Sequence, residues 1–357
     1  MTLWTPPIAD PLTTHRVESW WVDVLTSDDA KVAELDGTKG GSITQNVYDT
    51  ISGSGYLTVD EMGQKIDWLT MRLQPWWKVE GTEPWPLGVF LPSVPQETHQ
   101  EAVSGYQIDL LDKLVILDQD ELDGAYSIAA GGNVTDEIKT LITNAGETRM
   151  AITDSVETLT DGMVFPVGTT VLQAINLLLA KINYFSLRAD GYGYYVAEPY
   201  IRPQDRGSSW NFFDGPKAVH LADVSRKQDL VGVPNKVTLI SVPTFDTEAM
   251  VASATNEDPA SPFSYPSRGR WISHTQELVD ATSLGVLQGL AERRLTDLSD
   301  VSASLRLSHA ALPRSLNEAV EVNTGRLVPT MAVIQKMVQP LKVGGLTRTK
   351  LREVVAS

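Results

Sequence analysis

The first third of the chain alternates apolar and polar positions in short runs rich in β-branched and aromatic residues, the period of half-buried strands. These runs are residues 19–25, 42–48, 54–59, 68–77, 85–91 and 106–111. Turn formers separate them: Asp36-Gly37, Gly40-Gly41, Ser52-Gly53, Gly81 and Pro92. The pattern predicts a β-barrel or sandwich. Adjacent tryptophans such as Trp76-Trp77 must divide between the two faces of a strand. One of each pair then leaves apolar surface for a neighbouring domain or subunit to cover.

The middle of the chain changes period. Residues 135–144 bring Ile138, Leu141 and Ile142 onto one helical face, with Gly146 as a stop. Thr169 or Thr170 can cap a second helix carrying Val171, Ile175, Leu178, Leu179 and Ile182. Residues 184–188 and 194–197 flank Asp190-Gly191 as a hairpin. This stretch predicts a small α+β unit. Strand pattern returns over 211–245, above all at 236–242. A proline- and serine-rich loop spans 252–270, and loops of that length are usually functional or disordered. A helix over 281–298 places Leu284, Leu287, Ala291 and Leu295 on one side. Residues 301–307 alternate, with Val301, Ala303, Leu305 and Leu307 inward, and 331–338 and 347–354 supply further strands.

With 357 residues and 42% hydrophobic content, the chain can bury several cores. It has no cysteine, which removes disulfides and thiolate metal sites. No leader pattern opens it and no run approaches the roughly 20 apolar residues of a membrane span, so a soluble protein is expected. Residues 1–160 carry 26 acidic and nine basic side chains, a net −17, and the remainder is +1. That balance disfavours nucleic-acid binding. It suits a solvated face, or a channel past which DNA must slide without sticking.

Candidate chemistry is sparse. The histidines (His15, His99, His220, His274, His309) stand singly, and no hydrolase elbow, phosphate loop or zinc pair occurs. Asp118, Asp120 and Asp123 with Gly124 miss the register of a calcium loop. Glu97/Glu101 and Asp109/Asp112 are the carboxylate pairs that a glycosidase reading would nominate. The residues alone therefore give a β-rich α+β, multi-domain protein suited to binding or structure. No catalytic residue, cofactor or metal is expected.

Several blocks resemble one family in the expected order: residues 41–59 (GSITQNVYDTISGSGYLTV), 66–75 (IDWLTMRLQP), 86–92 (PLGVFLP), 106–117 (YQIDLLDKLVIL), 233–239 (VPNKVTL), 254–270 (ATNEDPASPFSYPSRGR) and 283–295. They resemble the tail hub proteins, also called minor tail or baseplate hub subunits, of long-tailed siphophages. The resemblance implies two tail-tube-like β-barrels joined by smaller α/β domains. Residues 1–117 would form the first barrel and 118–210 a small α+β domain. Residues 211–245 with 299–357 would form the second barrel, and 246–298 a loop and helix insertion.

The resemblance also implies a non-enzymatic homotrimer at the distal end of the virion tail, assembled in the host cytoplasm. Six barrels around its ring would adapt a threefold tip to the sixfold ring of the distal tail protein. Further partners would be the tape measure protein and downstream tip or fibre proteins. DNA would pass through the lumen without specific binding, and this chain would not insert into a membrane. Arg268 and Arg270 in the loop, with Trp76 and Trp77, are the expected partner contacts. The alternatives are a receptor- or carbohydrate-binding tail module using the clustered tryptophans, and a cell-wall hydrolase built on paired carboxylates.

Overall fold

The computed structural model describes residues 10–13, 16–60, 66–100, 103–159, 161–201, 205–227, 232–242, 248–259, 261–279, 284–299, 303–325, 327 and 329–354. The short helix α1 (Asp10–Thr13) precedes β1 (Glu18–Leu25), β2 (Lys31–Glu34), β3 (Thr38–Asn46), β4 (Gly53–Asp60), β5 (Arg72–Val79), β6 (Trp85–Pro86), β7 (Phe90–Gln100) and β8 (Val103–Asp112). Three departures from the alternation have physical causes. Gly40-Gly41 is not a turn but lies inside β3, because the β3–β4 ladder is too close for side chains. A Cβ at Gly41 would stand 2.1 Å from the Tyr56 carbonyl oxygen, and one at Gly55 2.3 Å from that of Ser42. The 85–91 run splits around Gly88, and the 68–77 run begins as a turn, with strand only from Arg72. Pro92 sits within β7, where the ladder shifts register between Pro92 and Pro95, as missing N–H groups require.

Next come α2 (Leu114–Gln119), β9 (Tyr126–Ile128), α3 (Val134–Asn144), β10 (Met150–Ile152), β11 (Met163–Phe165), α4 (Val171–Lys181), β12 (Arg188–Ala189) and β13 (Tyr195–Ala197). Asn133 caps α3, and Thr170 with Gln173 forms a capping box on α4. Ile138, Leu141, Leu172, Ile175, Leu178 and Leu179 bury a shared core. Leu114 and Leu117 of α2 enter the same core, so the expected boundary at 117/118 falls inside a helix that belongs to the α/β portion.

The chain continues with β14 (Ser208–Phe213), β15 (Ser225–Lys227), β16 (Lys236–Ser241), β17 (Val251–Thr255), α5 (Tyr265–Arg268), β18 (Ser273–Val279) and α6 (Leu284–Ser299). It closes with β19 (Ser304–Ala310), β20 (Ala319–Asn323), β21 (Thr330–Pro340) and β22 (Leu346–Glu353). Contacts divide it into two units: Met1–Val224 with Arg306–Leu351, and Ser225–Leu305 with Arg352–Ser357. In the second unit β16 pairs with β17 and β18, and α6 covers this sheet with Leu287, Ala291 and Leu295. Residues 236–241 therefore go with the helix and loop that follow them, rather than with the C-terminal strands. Leu284, expected on the same helical stripe, is exposed. Val301, expected inward, lies outside the described residues.

In the first unit the N-terminal and C-terminal strands form one sheet, ordered β19-β22-β21-β3-β4-β8-β7-β5-β1-β2. β21 is long enough to serve two partners: Thr330–Val333 pair with β20, and Lys336–Pro340 pair with β3. Among the described pairings the ends of this run do not meet, so the sheet is open where two closed barrels were expected.

Candidate functional site

The sheet and the α/β portion meet in a buried cluster of charges. Turn residue Asp29, Arg72 at the start of β5, Lys113 just after β8 and Glu147 just beyond α3 come from four separate segments. Lys113 is fully buried, and its Nζ lies 2.7 Å from both Asp29 Oδ2 and Glu147 Oε2. Arg72 reaches the same two carboxylates, at 2.7 Å to Asp29 Oδ1 and 2.5 Å to Glu147 Oε1. Two cations and two anions thus alternate in a closed ring, with Arg149 Nε 3.8 Å from Asp29 Oδ2 at its more exposed edge. Burial would lower the Arg72 guanidinium, but hydrogen bonds to Glu147 and Asp29 hold it raised. Lys113 also donates to the Gly193 carbonyl at 3.0 Å, and the buried Tyr195 hydroxyl donates to the Lys113 carbonyl at 2.9 Å. Burial pushes that hydroxyl's pKa up, so it remains a donor. Such a ring holds geometry and offers no free acid or base.

The tryptophans strengthen the same seam. Trp77 is 0% exposed and packs into the core, so in this chain it presents no surface to a partner. Its neighbour Trp76 points the other way, as two-residue periodicity demands, and stacks on Trp21 with ring centroids 6.1 Å apart. Tyr192, from the turn joining β12 to β13, meets Trp76 edge-on at 6.0 Å. Gln74 Nε2 donates to the Gly191 carbonyl at 2.8 Å beside them. The chain's own hairpin therefore meets one edge of this apolar face, and Trp21 and Trp76 stay half-buried. Trp4 lies outside the described residues.

In the second unit the proline-rich loop is held by its own hydrogen bonds. The side chain of buried Asn235 donates to the Arg270 carbonyl at 2.9 Å and accepts from the Ile272 amide at 2.7 Å. Ser264 caps α5, and Gly269 adopts φ +64° to end it. Arg268 donates to the Val233 carbonyl at 2.8 Å and lies 4.7 Å over the Phe263 ring. Arg270 is exposed. Beside it Tyr265 and Trp271 stack at 4.3 Å while remaining 39% and 42% exposed, with Lys236 Nζ 5.9 Å from the Trp271 ring. The sequence marked the two arginines. It missed Trp271, which directly follows the long loop, and Asn235, which precedes β16 and carries no signal linking it to that loop.

The nominated carboxylates do not converge. Asp109 is exposed and Asp112 buried, on opposite faces of β8. Glu101 and His15 lie outside the described residues, as do the side chains of Glu97 and His99. His220 and His309, single in the sequence, meet as a β-bridge against Phe212, at 5.9 and 5.2 Å between ring centroids. Among the described residues, no group of three or more Asp, Glu or His is placed to hold a metal ion. Nor is any helix there long and apolar enough to cross a membrane.

No family model matches this sequence, and no curated protein matches it. Solved structures do match. A tail protein from Neisseria meningitidis aligns over 94% of this chain and 96% of its own, with a TM-score of 0.66 at 11% identity. The 43 kDa tail protein of prophage MuSo2 from Shewanella oneidensis covers 93% and 98%, with a TM-score of 0.66 at 13% identity. Prophage tail protein gp18 from Listeria monocytogenes covers 94% and 95%, with a TM-score of 0.55 at 14% identity. The likeness is one of fold, and it runs through nearly the whole of both chains.

Proposed function

We propose that this chain, which has the fold of prophage tail proteins, is a structural hub subunit at the distal end of a phage tail. The observation that carries the reading is end-to-end coverage: the tail proteins align over more than nine-tenths of this chain and of their own length. Hydrogen-bonded β21–β3 pairing, which joins the N-terminal and C-terminal strands, suits two tube-like portions within one subunit. In a trimer, three subunits present six such portions around a ring and meet a sixfold distal tail ring without a symmetry clash. The acidic N-terminal residues line the DNA path on this reading, and the charge ring at Lys113 keeps the α/β portion fixed as DNA passes. Tape measure and downstream tip proteins complete the set of partners.

Light scattering across concentration, alone and with the hexameric distal tail partner, tests the reading. The expected mass is three times 39.1 kDa, alone or on that ring. A persistent monomer that ignores the ring and binds cell-wall glycans overturns it. For the carbohydrate-binding alternative, the exposed Tyr265–Trp271 stack is the surface to test, since Trp77 and Trp85 are buried and Trp20, Trp21, Trp68 and Trp76 are half-buried. Loss of glycan binding on Trp271→Ala would establish that second reading.

A further inference from the structure

The C-terminal strands of the first unit turn one face inward and leave the other open. On the inner side His309 of β19 meets the Thr349 hydroxyl of β22 at 2.8 Å, and both are buried. Residues an odd number of positions away point the opposite way, so Arg306, Arg348 and Lys350 share the open face. On the adjacent β21, Lys336 alternates with buried Met337 and pairs with Asn46 of β3. Two residues beyond Asn46, the Tyr48 ring lies 5.7 Å from Lys350 Nζ. Further along the same face Pro340, Ser42 and Tyr56 form a cross-strand row. Arg306, Arg348, Tyr48 and Tyr56 are all exposed. Among the described residues, none of the four cations is ion-paired. An acidic counterpart lies in the α/β portion, where residues 118–161 hold ten acidic and two basic side chains, a net −8. Asp120, Glu121 and Asp123 follow α2 in one loop and are exposed. That loop is braced: the Asp120 carbonyl accepts from the Val171 amide at 2.9 Å, and the Leu122 amide donates to the Thr169 carbonyl at 3.0 Å.

We propose that the open face carrying Arg306, Lys336, Arg348 and Lys350 docks onto the 120–123 loop of a second copy of this chain. The choice of occupant rests on charge complementarity and on the trimer proposed above. A ring of three cannot be closed by a patch that meets itself, so each copy must offer two unlike patches, one to each neighbour. The basic face and the acidic loop are unlike and opposite in sign. A chain of formal charge −16 also offers duplex DNA little overall attraction. Exposed ion pairs contribute little one by one, so the charges decide which patches meet. Tyr48 and Tyr56 supply contact area, and tyrosine with arginine is the side-chain composition enriched where subunits join.

Light scattering of the full chain, alone and with the distal tail ring, at low and at high salt, tests the contact. The parent is expected at three times 39.1 kDa and to dissociate more readily at high salt. One variant carries Arg348→Glu and Lys350→Glu, and another Asp120→Lys, Glu121→Lys and Asp123→Lys. Each should melt at the parent's temperature and associate about tenfold more weakly. Combining both sets in one chain restores opposite signs and should bring the trimer back. Either set assembling as the parent does overturns the proposal, as does a combined variant that stays dissociated. Duplex DNA binding that is lost with Arg348→Glu and Lys350→Glu at unchanged mass also overturns it, by assigning the face to phosphate. The two readings fail separately. A parent trimer indifferent to both sets sinks this contact alone. A ring of another size, broken by each set and restored by the combination, sinks the trimeric hub alone, and a parent monomer under every condition sinks both.

Discussion

Asp112 and His309 show how burial sets the chemistry of single residues in this protein. The Asp112 carboxylate accepts from the Gly53 amide, the Leu114 amide and the Ser52 hydroxyl at 2.5, 2.9 and 3.0 Å. Desolvation outweighs these bonds and pushes it up to about 6. Burial pushes His309 the other way, down to about 4, between the Ala310 carbonyl at 2.7 Å and the Thr349 hydroxyl at 2.8 Å. Folded Asp112 holds its proton more tightly than the unfolded chain, whose value is near 3.8. Its contribution is complete below that value and is lost as the pH rises to about 6. Folded His309 resists protonation, so its contribution is complete above 6.5 and is lost as the pH falls to about 4. Melting curves between these limits should show the cost of Asp112→Asn shrinking with rising pH and that of His309→Gln growing. At about 1.4 kcal/mol per pKa unit, each change is on the order of 3 kcal/mol. Costs that stay flat with pH would contradict the burial argument.

Among the elements, β3, β4 and the charge ring carry the sharpest expectations. Gly41→Ala would drive a methyl group into the Tyr56 carbonyl across the ladder. It should cost about 1–3 kcal/mol in urea unfolding, the range for overpacking, and a neutral result would mean the two strands can separate freely. Lys113→Met would leave Glu147 with Arg72 alone and Asp29 with Arg72 and the more distant Arg149, a loss of about 3–5 kcal/mol. Adding Glu147→Leu removes the anion that the lost lysine leaves short of a partner. The double variant should recover part of that loss, and a simple sum of the two single costs would show that the ring is not a unit.

For the whole molecule, the proposed assembly gives the exposed loop a testable part. Arg268 is engaged within the loop and Arg270 is exposed, so the two nominated contacts should separate. Arg270→Glu is expected to leave the melting temperature unchanged and to weaken binding to the distal tail ring, most strongly at low salt. Arg268→Ala is expected to lower stability by about 1 kcal/mol through loss of its bond to Val233. Equal behaviour in both assays would remove the loop from the interface.

Local pattern determined much of this protein. Two-residue alternation placed β1, β4, β8, β21 and β22, and apolar spacing with a capping threonine placed α4, because these signals arise from neighbours in the chain. The lack of a motif for phosphate, zinc or a hydrolase elbow was equally legible. Only the tertiary structure decided that Gly40-Gly41 lies in a strand, since the reason is a carbonyl on another strand. It also decided that the N-terminal and C-terminal strands share one sheet, and that Tyr192 meets Trp76 edge-on. The ring of Asp29, Arg72, Lys113 and Glu147 was invisible for the same reason. Its members are scattered along the chain and have no shared spacing, and each alone reads as a solvated surface charge.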